Sequence, residues 1–409
     1  MDAPRETELI HEWNVPEALP EWECKLNDET LRDGLQSPSV ANPPIEDKLE
    51  ILHYMEDLGM YSAAIGLPAA GAHAYNDCLA LASEIGRNKM KIYPYCAART
   101  VESDIVPIVE ISQKTGVKVQ AAVFLFSSPI RQFAEDWSID RLLQVSEAAV
   151  EFAHRHDVPV MFVTEDTTRA LPETLERLYS MVIDHGVERV CVADTVGHAT
   201  PSGVRAVTGF IKNLIDRSGR RVGLDWHGHR DRGLAVCNSI AAYYAGADRI
   251  HGTALGIGER VGNAPIDLIM VNFKLAGVID NDLTKLPEYV KKVSESCRVP
   301  IPDNYPVVGR DAFRTATGVH ADAIVKAYRK GDSWLANRIY SGVPADMFGL
   351  EQVIEVGPMS GKSNVRFWLD RHGVKATDEL VDSIFSHAKK AGRILSDDEI
   401  RGLMDDGAS

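Results

Sequence analysis

The sequence is poor in most of the features that mark a protein's class at a glance. Its six cysteines, Cys24, Cys78, Cys96, Cys191, Cys237 and Cys297, are scattered without any C-x-x-C spacing. That excludes a zinc cage or a disulfide framework and predicts reduced thiols, mostly within apolar segments, of a cytoplasmic protein. No run of 18 uncharged apolar residues occurs, and the polar, acidic start M-D-A-P-R-E-T-E has neither the basic beginning nor the apolar core of a signal peptide, so no membrane span and no export are expected. Long basic runs are missing too. With a net charge of −15 and a pI near 5.4, neither nucleic acid nor an anionic membrane is an expected partner, and any bound anion must be held by a few local arginines or a metal. There is no internal repeat and no low-complexity tract.

What remains is 409 residues, 45% of them hydrophobic, enough for one large barrel with an appendage or for two domains. After an N-terminal tail (1–21), with Trp13 and Pro16 as candidate anchors, short apolar or β-branched runs fall near 22–28, 61–66, 91–97, 117–126, 159–165, 188–194, 221–227 and 248–254. Segments of helical spacing, such as 45–58 and 139–154, separate most of them. Eight strands alternating with helices predict a closed (β/α)8 TIM barrel over 22–285. An open doubly wound sheet would want a glycine-rich phosphate turn after its first strand, and R-D-G-L-Q is not one. A Pro-rich linker and a small helical post-barrel domain follow (286–365), and a C-terminal helical segment (366–409) closes the chain.

Polar residues gather where such strands end. L-N-D-E-T-L-R-D-G-L-Q follows strand 1, Thr164-Glu165-Asp166 ends strand 5, Asp194-Thr195 ends strand 6, His227 and His229 end strand 7, and G-I-G-E-R-V-G-N follows strand 8. In a barrel these carboxyl ends open onto one face, where catalytic residues belong. His227 and His229, two apart on an extended segment, project from the same side and can reach one ion. Asp33 and Asn263 would complete an oxygen and nitrogen set suited to Mg2+, Mn2+, Co2+ or Zn2+ with positions open for substrate. For Asn263 a simple loop cap is the alternative. Arg32 would aim a fixed charge at the same pocket, where an oxyanion could form, or else pair with Asp28 or Glu165. Glu165 has an ordinary alternative as a partner of Arg169, and Thr195 as a helix cap.

Taken together, D-E-T-L-R-D-G-L-Q, V-A-D-T-V-G-H-A-T-P, H-G-H-R-D-R-G-L-A-V-C-N-S and G-I-G-E-R-V-G-N-A-P resemble the Claisen-condensing branch of the DRE-TIM metallolyases, the 2-isopropylmalate, citramalate and homocitrate synthases, over about residues 22–365. The resemblance implies an acyltransferase of amino-acid biosynthesis that joins acetyl-CoA to a 2-oxo acid on a divalent metal. It also implies a homodimer in which the post-barrel domain reaches over the partner's site. Residue by residue, it makes Asp33, His227, His229 and Asn263 metal ligands, Arg32 the oxyanion arginine and Gln36 its polar neighbour. Glu165 and Thr195 would belong to the acceptor pocket, and His320, with Tyr340, would be the post-barrel catalytic pair.

Arg230 and Arg232 depart from the H-C-H-N-D-L-G of many synthases. S-S-P-I-R places Arg131 after strand 4, where it is similar to a homocitrate synthase arginine that holds a distal carboxylate. This favours an acceptor such as 2-oxoglutarate or oxaloacetate. By contrast, G-P-M-S-G-K-S-N-V resembles the isopropylmalate group. The chain ends where many of that group continue into a leucine-binding regulatory domain, so feedback through that domain is not expected. A hydroxymethylglutaryl-CoA lyase type of activity, and a barrel without catalysis, are the alternatives.

Overall fold

In the computed structural model, which describes residues 9–405 apart from 12 and 15–17, eight parallel strands close into a barrel. They are β1 (Lys25–Asp28), β2 (Ser62–Gly66), β3 (Tyr93–Arg99), β4 (Gln120–Phe126), β5 (Val160–Glu165), β6 (Arg189–Asp194), β7 (Gly223–Gly228) and β8 (Arg249–Gly252). Every strand expected from the sequence is present. Closure is made by β8 pairing with β1, Lys25 to Arg249 through Asp28 to Gly252. Strands covered on both faces read as unbroken burial, and β6 is buried at all six positions.

The helices between strands form for local reasons. In Ile139–Arg155, Ser138 caps the first turn by accepting the Arg141 N–H at 3.3 Å. Leu142, Ser146, Ala149, Val150 and Ala153 then repeat at helical spacing and are buried, while His154 and Arg155 sit at the negative end of the helix dipole. Among the described residues no helix is long and apolar enough to cross a membrane.

The chain divides into two compact units, one of residues 16–282 with 288–300, the other of 1–15, 283–287 and 301–409. The barrel unit thus extends past 285, because the helix Leu286–Cys297 buries Tyr289, Val290, Val293 and Cys297, and Tyr289 Oη donates to Asp28 at 2.5 Å. In the second unit, the strand pair Arg314–Thr315 and Val353–Ile354 is joined by the helix Gly318–Arg329, whose Ala321, Ile324 and Val325 are buried. The C-terminal segment is helical as expected: helices Lys362–Arg371, Asp378–Lys390 and Asp397–Asp405 share a core with Val365, Trp368, Val381, Ile384 and Ile400. Trp13 is 84% exposed, its ring edge-on to that of His11, and Pro16 lies outside the described residues. Of the cysteines, Cys78, Cys96, Cys191 and Cys297 are buried, Cys24 is half-buried and Cys237 is exposed, and all six are free.

Candidate metal centre and acceptor cavity

At the carboxyl ends of the strands the barrel holds a cavity of about 410 Å3 that reaches down between the strand walls. Asp33, on the turn after β1, and His227 and His229, on and just after β7, meet at its edge. Asp33 Oδ2 lies 3.5 Å from His227 Nε2 and 3.6 Å from His229 Nε2, and the two Nε2 atoms are 3.3 Å apart. Donors at the corners of a triangle of that size lie about 2 Å from its centre, the bond length of a first-row divalent ion to imidazole or carboxylate.

Two buried oxygens of the group, Asp33 Oδ2 and Asn263 Oδ1, have no hydrogen-bond partner. An orphaned buried acceptor is costly, and a cation at the triangle of Asp33, His227 and His229 would satisfy Asp33 Oδ2, while Asn263 is the bridge partner of His229 on the adjoining loop. The residues therefore fit a divalent metal. Asn263 is held by its own loop: its amide donates to Ile257 O at 3.1 Å and its N–H to Gly256 O at 3.1 Å. The turn needs glycine twice. Gly258 (φ +143°) has Asn263 Nδ2 where a Cβ would stand, and Gly262 (φ +101°) has Gly256 O there.

The two imidazoles sit in different fields. Burial and the neighbouring His227 hold His229 down, at about 4, so it is neutral and ready to ligate. His227 is buried as well, which alone would lower it, yet Glu29 and Asp33 beside it raise it overall.

Arg32 faces the same cavity with one nitrogen on Glu29 and another 3.3 Å from Asp33 Oδ1, rather than on Asp28 or Glu165. Its Nε is buried without a partner. Gln36, at the end of the turn Gly34–Gln36, and Thr195 also line the cavity, and Thr195 Oγ1 accepts the Asp166 N–H at 2.8 Å. Thr195 caps no helix, since Thr200 does that. Arg169 pairs with Asp166, which leaves Glu165 on the cavity wall, its carboxyl pushed up chiefly by burial.

Arg131 is not on that wall. Its guanidinium stands behind Glu165 at 3.7 Å, within 3.6 Å of Glu135 and over the Phe126 ring. Leu67, Tyr95 and Phe124 line the cavity, whereas Leu35 lines a neighbouring hollow. Arg230 and Arg232 donate to backbone oxygens, of Val261 and His198. In the second unit His320 and Tyr340 are both exposed and stack on one another, centroids 4.3 Å apart.

Several residues that bear on the centre were given no role from the sequence: Glu29, Asp225, Arg249 and His251, all buried, and Arg260, which lines the cavity and pairs with Asp231. The signal for three of them is alternation. Asp225 lies two residues before His227 on β7, and Arg249 two before His251 on β8, so each pair shares a face.

Known proteins resemble this chain in sequence and in fold. A homocitrate synthase of Methanopyrus kandleri is 31% identical over 394 residues, 96% of this chain and 92% of that one. A probable 2-isopropylmalate synthase of the same organism is 30% identical over 90% of this chain and 70% of its own. Among solved structures, an HMG-CoA lyase of Bacillus subtilis overlies 69% of this chain and 96% of its own, with a TM-score of 0.58 at 20% identity, a likeness of fold. The HMGL-like family model matches residues 23–293, a span that takes in every barrel strand and the loop of Asn263, and the chain therefore belongs to the HMGL-like family.

Proposed function

We propose that the protein catalyses a metal-dependent Claisen condensation of acetyl-CoA with a 2-oxo acid, giving a 2-alkylmalate-type acid and CoA. The two sequence relatives named above are called synthases, and the observation that carries the reading is the triangle of Asp33 Oδ2, which has no hydrogen-bond partner, with the two Nε2 atoms, beside the Arg32 guanidinium in one cavity. A divalent ion there would supply Lewis acidity toward the keto oxygen of the acceptor. Arg32 holds positive charge where the alkoxide develops, fixed in advance by Glu29 and Asp33, so little reorganisation is needed as the bond forms. Glu165, its proton affinity raised by burial, faces the acceptor and can share a proton with the new hydroxyl. His320, stacked on Tyr340, acts as the base that takes a methyl proton from acetyl-CoA. Both rings are exposed and thus available to a partner subunit in a homodimer. Hydrolysis of the thioester releases CoA.

The apolar part of the cavity lining supports a change from the sequence reading. Leu67, Ala97, Ala122, Phe124, Val163 and Ala193 are apolar, and Arg131 already faces two carboxylates. An acceptor with a short apolar side chain fits this wall, whereas a distal carboxylate would have to draw Arg131 away from Glu165. The test is CoA release from acetyl-CoA with a panel of 2-oxo acids, in the presence of Mg2+, Mn2+, Co2+ or Zn2+. Activity with 2-oxoisovalerate or 2-oxobutyrate above that with 2-oxoglutarate, unchanged in rank in Arg131→Ala, is expected. Release with none of the acids overturns the condensation, and a preference for 2-oxoglutarate lost in Arg131→Ala overturns the apolar acceptor.

A further inference from the structure

From Glu29 and His251 in the cavity lining, a chain of buried polar groups runs into the barrel, where a barrel of this kind is ordinarily filled by layers of branched apolar side chains. Glu29 Oε1 meets His251 Nδ1 at 2.7 Å, His251 Nε2 meets Asp225 Oδ2 at 2.8 Å, and the same Asp225 oxygen accepts from Arg249 at 2.6 Å. Arg249 reaches across to Ser62 and Gln120 on β2 and β4, and Arg189 takes the other Asp225 oxygen. The side chains of Glu29, His251, Asp225 and Arg249 are 3%, 1%, 0% and 0% exposed. Such a network costs several kcal/mol per ion in desolvation, and well-packed apolar residues often do as well for stability, so holding the fold together does not account for it.

Two triads of this region have the geometry to ligate, Asp33 with His227 and His229, and Glu29 with His227 and His251. Their hydrogen bonding separates them. The Glu29 carboxylate is already filled: Oε1 accepts from Tyr95 Oη at 2.8 Å as well as from His251, and faces His227 Nδ1 at 3.4 Å, while Oε2 is taken by Arg32. The Asp33 and Asn263 oxygens are the ones left without partners. His227 belongs to both triads through different nitrogens, Nε2 toward Asp33 and Nδ1 toward Glu29. A proton on Nδ1, donated to Glu29, leaves the lone pair on Nε2, where the ion would bind. His251 stands with each ring nitrogen against a carboxylate, Nδ1 on Glu29 and Nε2 on Asp225.

We propose that Glu29 is a positioning residue rather than a ligand: it fixes the tautomer and aim of His227 and the placement of Arg32 together, and is itself held in place by Tyr95, His251 and Asp225. One carboxylate thereby ties the ion's ligand set to the oxyanion guanidinium. This rests on the metal reading of the centre.

The experiment is Co2+ binding to metal-free wild type and Glu29→Gln, read as a dissociation constant by chelator competition and as the visible absorption of the bound ion. Gln keeps the shape and one acceptor oxygen but puts an N–H2 group among the donors of Arg32, His227 and His251. Loss of a carboxylate behind a ligating histidine weakens metal binding by roughly 10–100-fold, and a change in the cobalt spectrum is expected with it, which a general loosening of the barrel would not give at unchanged circular dichroism. Tyr95→Phe is the companion, removing one donor to Glu29 while keeping the ring, and is expected to weaken Co2+ by about threefold, the worth of a modest hydrogen bond. It decides the matter should the Gln variant not fold. Wild-type affinity and an unchanged spectrum in the folded variants overturn the inference while leaving the metal centre standing. If wild type itself takes up no Co2+, the reading of the centre fails and the inference with it.

Discussion

Asp28, beside the site at the end of β1, offers a prediction whose size can be worked out. It is fully buried, with Oδ1 accepting the Thr30 N–H at 2.8 Å and Oδ2 accepting from Tyr289 Oη at 2.5 Å. Burial pushes its carboxyl up to about 6 from 3.8, although Tyr289 and Thr30 pull the other way. A rise of about two units corresponds to about 3 kcal/mol. Because the folded value lies above the unfolded one, this stability is fully present below about pH 4 and is lost as pH rises through 6. Asp28→Asn keeps the shape: its oxygen can accept from Thr30, and its amide can donate to Tyr289, whose hydroxyl then turns to Thr30 Oγ1, 3.1 Å away. Urea or thermal unfolding of metal-free protein at intervals from pH 4 to 8 should show the two proteins alike at the acid end. The variant should then gain progressively, by up to about 3 kcal/mol, or roughly 5 °C for a barrel of this size. A variant that is less stable at pH 8, by an amount that does not change with pH, would refute the reasoning, because the ionised carboxylate would then be welcome where it is.

Three further outcomes follow from the same contacts. His227→Ala with His229→Ala should abolish bound divalent metal and CoA release while the barrel's circular dichroism persists, and stoichiometric metal in the double variant would remove the centre from consideration. Mixed subunits of His320→Ala and Asp33→Ala, each inactive alone, should regain part of the activity if the base comes from the partner chain, and no recovery after confirmed exchange would argue for a site built within one chain. Asp225→Asn leaves the buried Arg249 guanidinium facing a neutral group and should destabilise the barrel by about 3 kcal/mol or more. Unchanged stability would show that Gln120 and Ser62 suffice.

The barrel and its rim were legible because each rests on a short-range pattern. Strands buried on both faces are apolar runs, and the helices between them repeat at 3.6, as in Ile139–Arg155. Polar residues that break such a run at its carboxyl end, as Asp194 and Thr195 do, stand out without knowledge of their partners. Arg131 marks the limit of that kind of reading. Its position after β4 is local, but whether it faces a ligand or Glu165 depends on where the helix Pro129–Glu135 points it, and nothing in S-S-P-I-R specifies that. The end of the barrel unit was misplaced for a related reason: Tyr289, Val290, Val293 and Cys297 make an amphipathic helix in any context, and only the meeting of Tyr289 with Asp28 ties it to β1.

The axial network is a different case, since its signal was local and was masked. A strand inside a closed barrel alternates between interior and helix-facing residues, so the placing of His227 and His229 on the interior face also places Asp225 there, and the same rule applied to β8 pairs Arg249 with His251. Treating each strand as one buried run hides that step, because averaging over Leu224, Trp226 and Ile250 makes the run apolar enough to pass as core. A buried acid and a buried guanidinium on neighbouring strands, Asp225 and Arg249, must neutralise one another inside the barrel or not be there at all, since an unpaired charge at 0% exposure would cost more than a domain's whole margin of stability. Once Asp225 and Arg249 are set against each other, His251 is left to bridge Asp225 to the next carboxylate toward the rim, and that carboxylate is Glu29. The physical step from pattern to site is therefore charge pairing imposed by alternation, and it leads from the middle of the barrel to His227 without reference to any ligand.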